Sequence, residues 1–202
     1  MFLRGGDWDA VVIQDQSQRP SFGASYVSKS HGSNIKKFGF QVYANIVPDA
    51  DAIVDAIRET NPCTMPVYYL TWGKRDGDSQ NCGHHEVFCS FEGIQDQLTQ
   101  AYTTMAYVTQ PASVAPAGEA WRNYGNRNSL FAGDGSHASS SGTYLTACTM
   151  LETIWPDVSS VGNSYRPVGD ASALQDLAHQ TVTSRVWSWP EAGPRPCEGC
   201  LP

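Results

Sequence analysis

Apolar residues fall along this chain in two patterns, short unbroken runs and longer stripes spaced by three or four positions. The runs are Ala10-Val11-Val12-Ile13, then Val67-Tyr68-Tyr69-Leu70 behind Pro66, then the weaker Val114-Ala115-Pro116-Ala117. Such runs are the pattern of strands buried on both faces. The stripes predict helices. Pro48 to Arg58 has acidic residues in what would be a first turn and Ile53, Val54 and Ile57 behind them, which predicts a helix entered through Pro48. Ser90 can cap a helix reaching about Val108, with Ile94, Leu98, Tyr102 and Met105 on one side. Tyr144, Ala147, Cys148, Leu151 and Trp155 mark a third helix, and a last one is expected over Ala171 to Arg185. Ser21 to Gly39 reads as a polar stretch without an assigned element, and Pro190 to Pro202 as a loose tail rich in Pro and Gly.

Strands alternating with helical crossovers of a dozen or more residues predict an α/β fold with a parallel sheet and right-handed connections. Three strands are few for 202 residues, because a sheet averages about five to six. The length allows one domain with a real core and is short for two. With 13 Lys and Arg against 20 Asp and Glu, the net charge of −7 removes the electrostatic drive for binding the phosphate backbone of a nucleic acid. A charged fraction of 16% together with 6 Trp, 9 Tyr and 7 Phe describes a globular chain and not a disordered one. No apolar run approaches the roughly 20 residues of a membrane span, and residues 1–20 lack the basic-then-apolar order of a signal peptide.

The segment richest in chemistry is Gly133-Asp134-Gly135-Ser136-His137-Ala138-Ser139-Ser140-Ser141-Gly142-Thr143-Tyr144-Leu145. An Asp three residues before a His, in a Gly-containing loop that leads into a helix, can turn its carboxylate onto the imidazole. That bond fixes the tautomer and leaves the other ring nitrogen free to act as a base. The spacing also fits a plainer arrangement, in which Asp134 closes its own turn, Ser139 or Ser140 caps the helix and His137 lies on the surface.

The D-x-x-H of Asp134 and His137, followed by Ser139, Gly142, Tyr144 and Leu145, resembles the last block of the SGNH (GDSL-like) hydrolases. Three further stretches fit that resemblance in order: Trp8 to Gln18, Pro66 to Gly73 and Val114 to Trp121. The likeness covers about residues 7 to 155 and rests on the order of the blocks. Ala138 stands where the family usually has Pro. The resemblance implies a three-layer α/β/α, flavodoxin-like fold over residues 1–165, with 166–189 as a helical extension and 190–202 as the tail. It also implies a serine-type ester hydrolase, acting on acyl or acetyl esters of small molecules or carbohydrates, that needs no cofactor. In the family the nucleophilic Ser, in a G-[DN]-S block, and a Gly that helps bind the oxyanion both come before the segment matched by Trp8 to Gln18. Met1 to Asp7 cannot hold them, so the chain is expected to be the C-terminal part of such a domain, without its first strands and inactive alone. Ser17 and Ser136 do not sit in the expected block. The resemblance assigns His137 as base, Asp134 as its orienting carboxylate, and a side-chain amide near the end of the first strand as oxyanion donor: Gln16 first, with Gln14 and Gln18 as alternates.

Cys82 and Cys89 bracket a short loop that a disulfide could close; with His84 and His85 they match no usual structural zinc spacing, and no metal is expected. Such a disulfide places the protein in the secretory pathway or outside the cell. Cys63 and Cys148 read as small buried residues, while Cys197 and Cys200 lie in the tail with no strand or helix beside them. Trp72 and Trp121 each follow a strand end, the edge where ligands bind in open α/β sheets, and either lines a pocket or packs in the core. Trp187 and Trp189 have no assignment. Two classes of function therefore stand at this stage, a secreted SGNH-type esterase and a non-catalytic extracellular module that keeps the same scaffold.

Overall fold

The computed structural model describes residues 8–15, 18–25, 33–162, 168–184 and 187–189; for 18, 23–25, 33–45 and 188–189 it describes the backbone alone. Three parallel strands, β1 (Ala10–Ile13), β2 (Met65–Tyr69) and β3 (Ala112–Ala115), lie side by side in chain order. Val12 pairs with Val67 and Tyr68 with Val114, so the strand ends are nearly level. A two-residue strand, β4 (Ser188–Trp189), joins β3 antiparallel at Ala112 and Ser113. This short strand supplies the assignment that the sequence withheld from Trp189, and Trp187 packs against the core beside it.

Helices α1 (Gln18–Ser25) and α2 (Ser33–Thr60) connect β1 to β2. Between β2 and β3 come α3 (Ser79–Cys82), a 3-10 turn at Glu86–Cys89 and α4 (Phe91–Val108). After β3 follow α5 (Ala117–Asn123), α6 (Ser140–Ile154) and α7 (Ala171–Thr183). Strands taken in sequence with like-handed crossovers put α2 and α4 on the same face of the sheet. There Tyr68, Leu70, Ala112 and Val114 meet Ile46, Ala50 and Val54 of α2 and Ile94, Leu98, Tyr102 and Met105 of α4. Tyr69 points the other way and shares a hydrogen bond with Thr146 of α6. Around α5, α6 and α7 a second core gathers Trp121, Leu145, Cys148, Leu174 and Ala178 with Phe91, Leu130 and Phe131. The result is three layers, α/β/α.

Three expectations need correction. A helix starting at Pro48 was read from its acidic first turn, yet α2 begins at Ser33 and carries Pro48 inside it. Ile46, Ala50, Val54 and Ile57 form one buried stripe that runs straight across the proline. Burying that stripe contributes several kcal/mol at about 1.5–3 kcal/mol per large side chain, which outweighs the roughly 3 kcal/mol that an internal proline costs. The polar stretch from Ser21 is likewise helical to Ser25 and again from Ser33. Cys63 was read as buried, but it is exposed and disulfide-bonded, with a partner outside the described residues. It occupies the corner between α2 and β2, where its N–H donates to Asn61 Oδ1 at 2.9 Å, a turn that directs the side chain outward. Cys197 and Cys200 lie outside the described residues. Cys148 is buried and free, as its helical stripe indicated.

The described part of the segment expected as an extension packs into the second core through Leu174 and Ala178. A buried carboxylate holds it there. Glu152 of α6 accepts from the N–H and the hydroxyl of Ser160 and lies 2.9 Å from His179 Nδ1 of α7.

Candidate active site

The carboxyl ends of β1, β2 and β3 share one edge of the sheet. The loop that leaves β2 reaches the D-x-x-H loop through Trp72 and Arg75, and α5, which follows β3, backs it through Trp121. At Asp134 the plain and the chemical readings of the sequence hold together. Its Oδ1 accepts the N–H groups of Ser136 and His137, each at 2.9 Å, which closes the turn. Its Oδ2 stands 2.6 Å from His137 Nδ1. A carboxylate can only accept, so Nδ1 carries the proton, and in the neutral imidazole Nε2 is the nitrogen with the lone pair. The His137 side chain is 84% exposed, and among the described residues Nε2 has no hydrogen-bond partner. The bond from His137, with the two N–H bonds behind it, holds the Asp134 carboxyl far below the usual carboxylate range.

The dyad sits on a closed loop. Ala132 N–H donates to His137 O at 2.8 Å, Gly135 N–H to Ala132 O at 3.0 Å, and Ser139 N–H to Leu130 O at 2.8 Å. Ser139 then caps α6, its Oγ accepting Gly142 N–H at 3.2 Å. Gly135 has φ +68°, the left-handed region that a side chain disfavours, and the Arg75 guanidinium lies against it. Gly142 allows α6 to press on the Leu130 carbonyl and the Trp121 ring, where a Cβ has no room.

The loop after β2 braces this turn from the side. Trp72 Nε1 donates to Ser136 O at 2.9 Å, and Arg75 N–H donates to Gly135 O at 2.9 Å. The Trp72 ring stacks on Trp121 at 3.8 Å with planes 3° apart. Trp121 is fully buried, with Nε1 donating to Thr146 Oγ1 at 3.2 Å. Of the two tryptophans, then, Trp121 is core and Trp72 lies between core and site. Gln95, fully buried on α4, accepts Gly73 N–H at 3.0 Å and donates to Thr71 O at 3.3 Å, so its amide ties both sides of the β2 exit. Gly118 at the start of α5 lies so close that a Cβ would collide with Thr71 O and the Gln95 amide. Sequence reasoning missed Gln95; the signal was a polar residue beside Ile94 on the buried side of α4.

The exit of β1 is held by Tyr102, whose hydroxyl accepts Asp15 N–H at 3.2 Å. Burial pushes the Tyr102 phenol up to about 12, so it stays protonated. Of the amides proposed for the oxyanion, Gln14 directly follows β1 and is exposed, Gln18 begins α1 with its side chain undescribed, and Gln16 lies outside the described residues, as does Ser17. Ser136 serves the loop through its backbone, its N–H on Asp134 and its carbonyl on Trp72. Cys82 and Cys89 form a disulfide that closes the turn between α3 and the 3-10 helix. Among the described residues no cluster of His, Cys, Asp and Glu suits a metal ion, and no helix is long and apolar enough to cross a membrane.

The low pKa of Asp134 has a consequence for stability. A carboxyl ionised more readily in the folded chain than in the unfolded one, where Asp titrates near 3.9, stabilises the fold above that pH. The contribution is lost as pH falls from about 4 toward the lower folded value. Wild type should therefore lose its stability advantage over Asp134→Asn below about pH 4, measured by urea midpoints at successive pH values; parallel curves would contradict the ionised pair.

No protein-family model and no curated protein matches the chain. Two solved structures resemble it. A DUF4886 family protein from Bacteroides uniformis superposes with a TM-score of 0.66 at 20% identity, over 89% of this chain and 64% of that one. A candidate SGNH hydrolase from Slackia heliotrinireducens superposes with a TM-score of 0.53 at 20% identity, over 75% of this chain and 68% of that one. The chain thus spans less than two thirds of the length of the first neighbour. The architecture is that of an SGNH-like α/β/α fold.

Proposed function

We propose that this protein is a serine-type carboxylic ester hydrolase, exported from the cytosol, with His137 as general base and Asp134 as its orienting partner. The observation that carries the reading is the Asp134–His137 pair at 2.6 Å, held on a braced loop at the carboxyl edge of a parallel sheet with the His137 side chain exposed. The neighbour described as a candidate SGNH hydrolase supports it through the shared fold. The disulfide is consistent with export.

In this reaction a serine Oγ attacks the ester carbonyl carbon while its proton passes to His137 Nε2. The tetrahedral oxyanion takes hydrogen bonds from the amide at the β1 exit, Gln16 or else Gln14 or Gln18. The carbon–oxygen bond to the alcohol then breaks, and His137 returns the proton to the leaving oxygen. Water, deprotonated by the same nitrogen, releases the acid and restores the serine. Asp134 stays ionised throughout and stabilises the imidazolium. We assign the nucleophile to a serine outside the described residues, since none of the described hydroxyls bonds Nε2.

The test measures hydrolysis of p-nitrophenyl acetate and labelling by a serine-directed fluorophosphonate on the protein encoded by the complete gene, set beside its His137→Gln variant. Hydrolysis and labelling are expected from the first and loss of hydrolysis from the second. Full activity in His137→Gln would overturn the assignment of the base. A protein that neither hydrolyses nor labels would overturn the esterase reading and leave the binding module in its place.

A further inference from the structure

We propose that Trp72 is a positioning residue for the His137 base, acting through its indole N–H; this rests on the assignment of His137 above. His137 is more exposed than its partner Asp134, and its ring makes a single described bond, to Asp134. What fixes that pair in space is the backbone between them. Two donors from one neighbouring loop reach it: Trp72 Nε1 on the Ser136 carbonyl and Arg75 N–H on the Gly135 carbonyl, both at 2.9 Å. The two carbonyls belong to the residues that separate Asp134 from His137 in the chain. The loop therefore cannot rotate about its own turn without breaking one of them.

Trp72 can hold that bond rigidly because its ring is itself clamped. It lies flat on Trp121, which is fully buried, bonded to Thr146 and edged by Phe131 at 4.9 Å. Trp121 in turn abuts Gly142, in the first turn of α6, the helix that Ser139 caps two residues after His137. The stack thus links the strand end of β2 to both flanks of the D-x-x-H loop. A phenylalanine at position 72 keeps an aromatic face on Trp121 but removes the donor to Ser136 together with part of the stacked ring, whereas benzothienylalanine keeps the bicycle and removes the N–H alone. A tryptophan serving merely as filler would tolerate that change at the loop.

The test reads the loop and the imidazole directly, in the full 202-residue chain. At pH 8, nitrogen-15 spectra of wild type should show His137, identified by its loss in His137→Gln, as the Nδ1–H tautomer. In Trp72→Phe the amides of Ala132, Gly135 and His137, which bond within the loop, should exchange with solvent about fivefold faster or more, as loss of one hydrogen bond implies. Amides in the middle of α6 should change no more than overall stability does. The Nε2–H tautomer should become detectable at His137. If α6 and the loop speed up equally and the tautomer is unchanged, Trp72 is only a packing residue and the proposal fails. Should Trp72→Phe not fold, benzothienylalanine at position 72 removes the same N–H while keeping the bicyclic ring, and the same two outcomes decide. A wild-type His137 found in the Nε2–H tautomer would sink the dyad, and with it the proposed function, a result separable from a dyad that is intact and indifferent to Trp72.

Discussion

Replacing His137 by alanine should lower kcat toward short acyl esters by at least about 10⁴-fold in the active form of the protein, with little change in stability. The size follows from the role. A serine without a base at hydrogen-bonding distance is a weak nucleophile, and loss of either the base or the nucleophile removes nearly the whole contribution of the pair. The silence in stability follows from exposure. With 84% of its side chain in solvent and one bond to a carboxylate that keeps two backbone partners, His137 contributes little to the core, so a change within about 0.5 kcal/mol is expected. Steady-state kinetics set beside urea unfolding checks both halves. A tenfold loss in kcat, or a large drop in unfolding midpoint, would mean that the imidazole serves the fold and some other group takes the proton.

The second large effect lies in the scaffold under the site. Gly118→Ala should destabilise the protein by about 3 kcal/mol or more, a drop in Tm of roughly 6–12 °C for a domain of this size. The added methyl would meet the Thr71 carbonyl, which is backbone, and the Gln95 amide, which is buried and bonded on both ends. Neither can swing away. Relief requires α5 to lift from the end of β2, which would break the bond from Gly118 N–H to Leu70 O at 2.8 Å. Differential scanning calorimetry measures the shift, with Gly125→Ala as the control, because a Cβ at Gly125 meets nothing within 4 Å. Equal melting of the two variants would show that the close approach at Gly118 is not tight in solution.

The sequence made the fold legible wherever one residue carried one signal. Ser90 as a cap and the stripe from Ile94 to Met105 fix α4 almost to the residue, because the capping hydroxyl and the buried side act in the same short segment. The pairing of Asp134 with His137 was legible for the same reason: both partners lie in one turn. What the sequence concealed depends on partners far along the chain. Pro48 lies inside a helix because the stripe beneath it finds α4, and β4 is a strand only because β3 offers it an edge. The roles of Gln95 and Trp72 are concealed in the same way, since the amide and the indole N–H act on backbone groups 22 and 64 residues away. Cys63 misled because a small residue near a strand start resembles a core position until the turn at Asn61 sets its direction.

The carboxylate of Glu152 has an implication for how the molecule comes apart. One buried side chain gathers donors from the segment after α6 and from α7, so two stretches of chain share a single point of attachment. Elements tied in this way open together, as one cooperative unit with its own free energy of opening below that of global unfolding. Ser160 and α7 should accordingly exchange their amides as a block, while the strand ends and the D-x-x-H loop, anchored instead through Gln95, Gly118 and Trp72, follow the slower opening of the sheet.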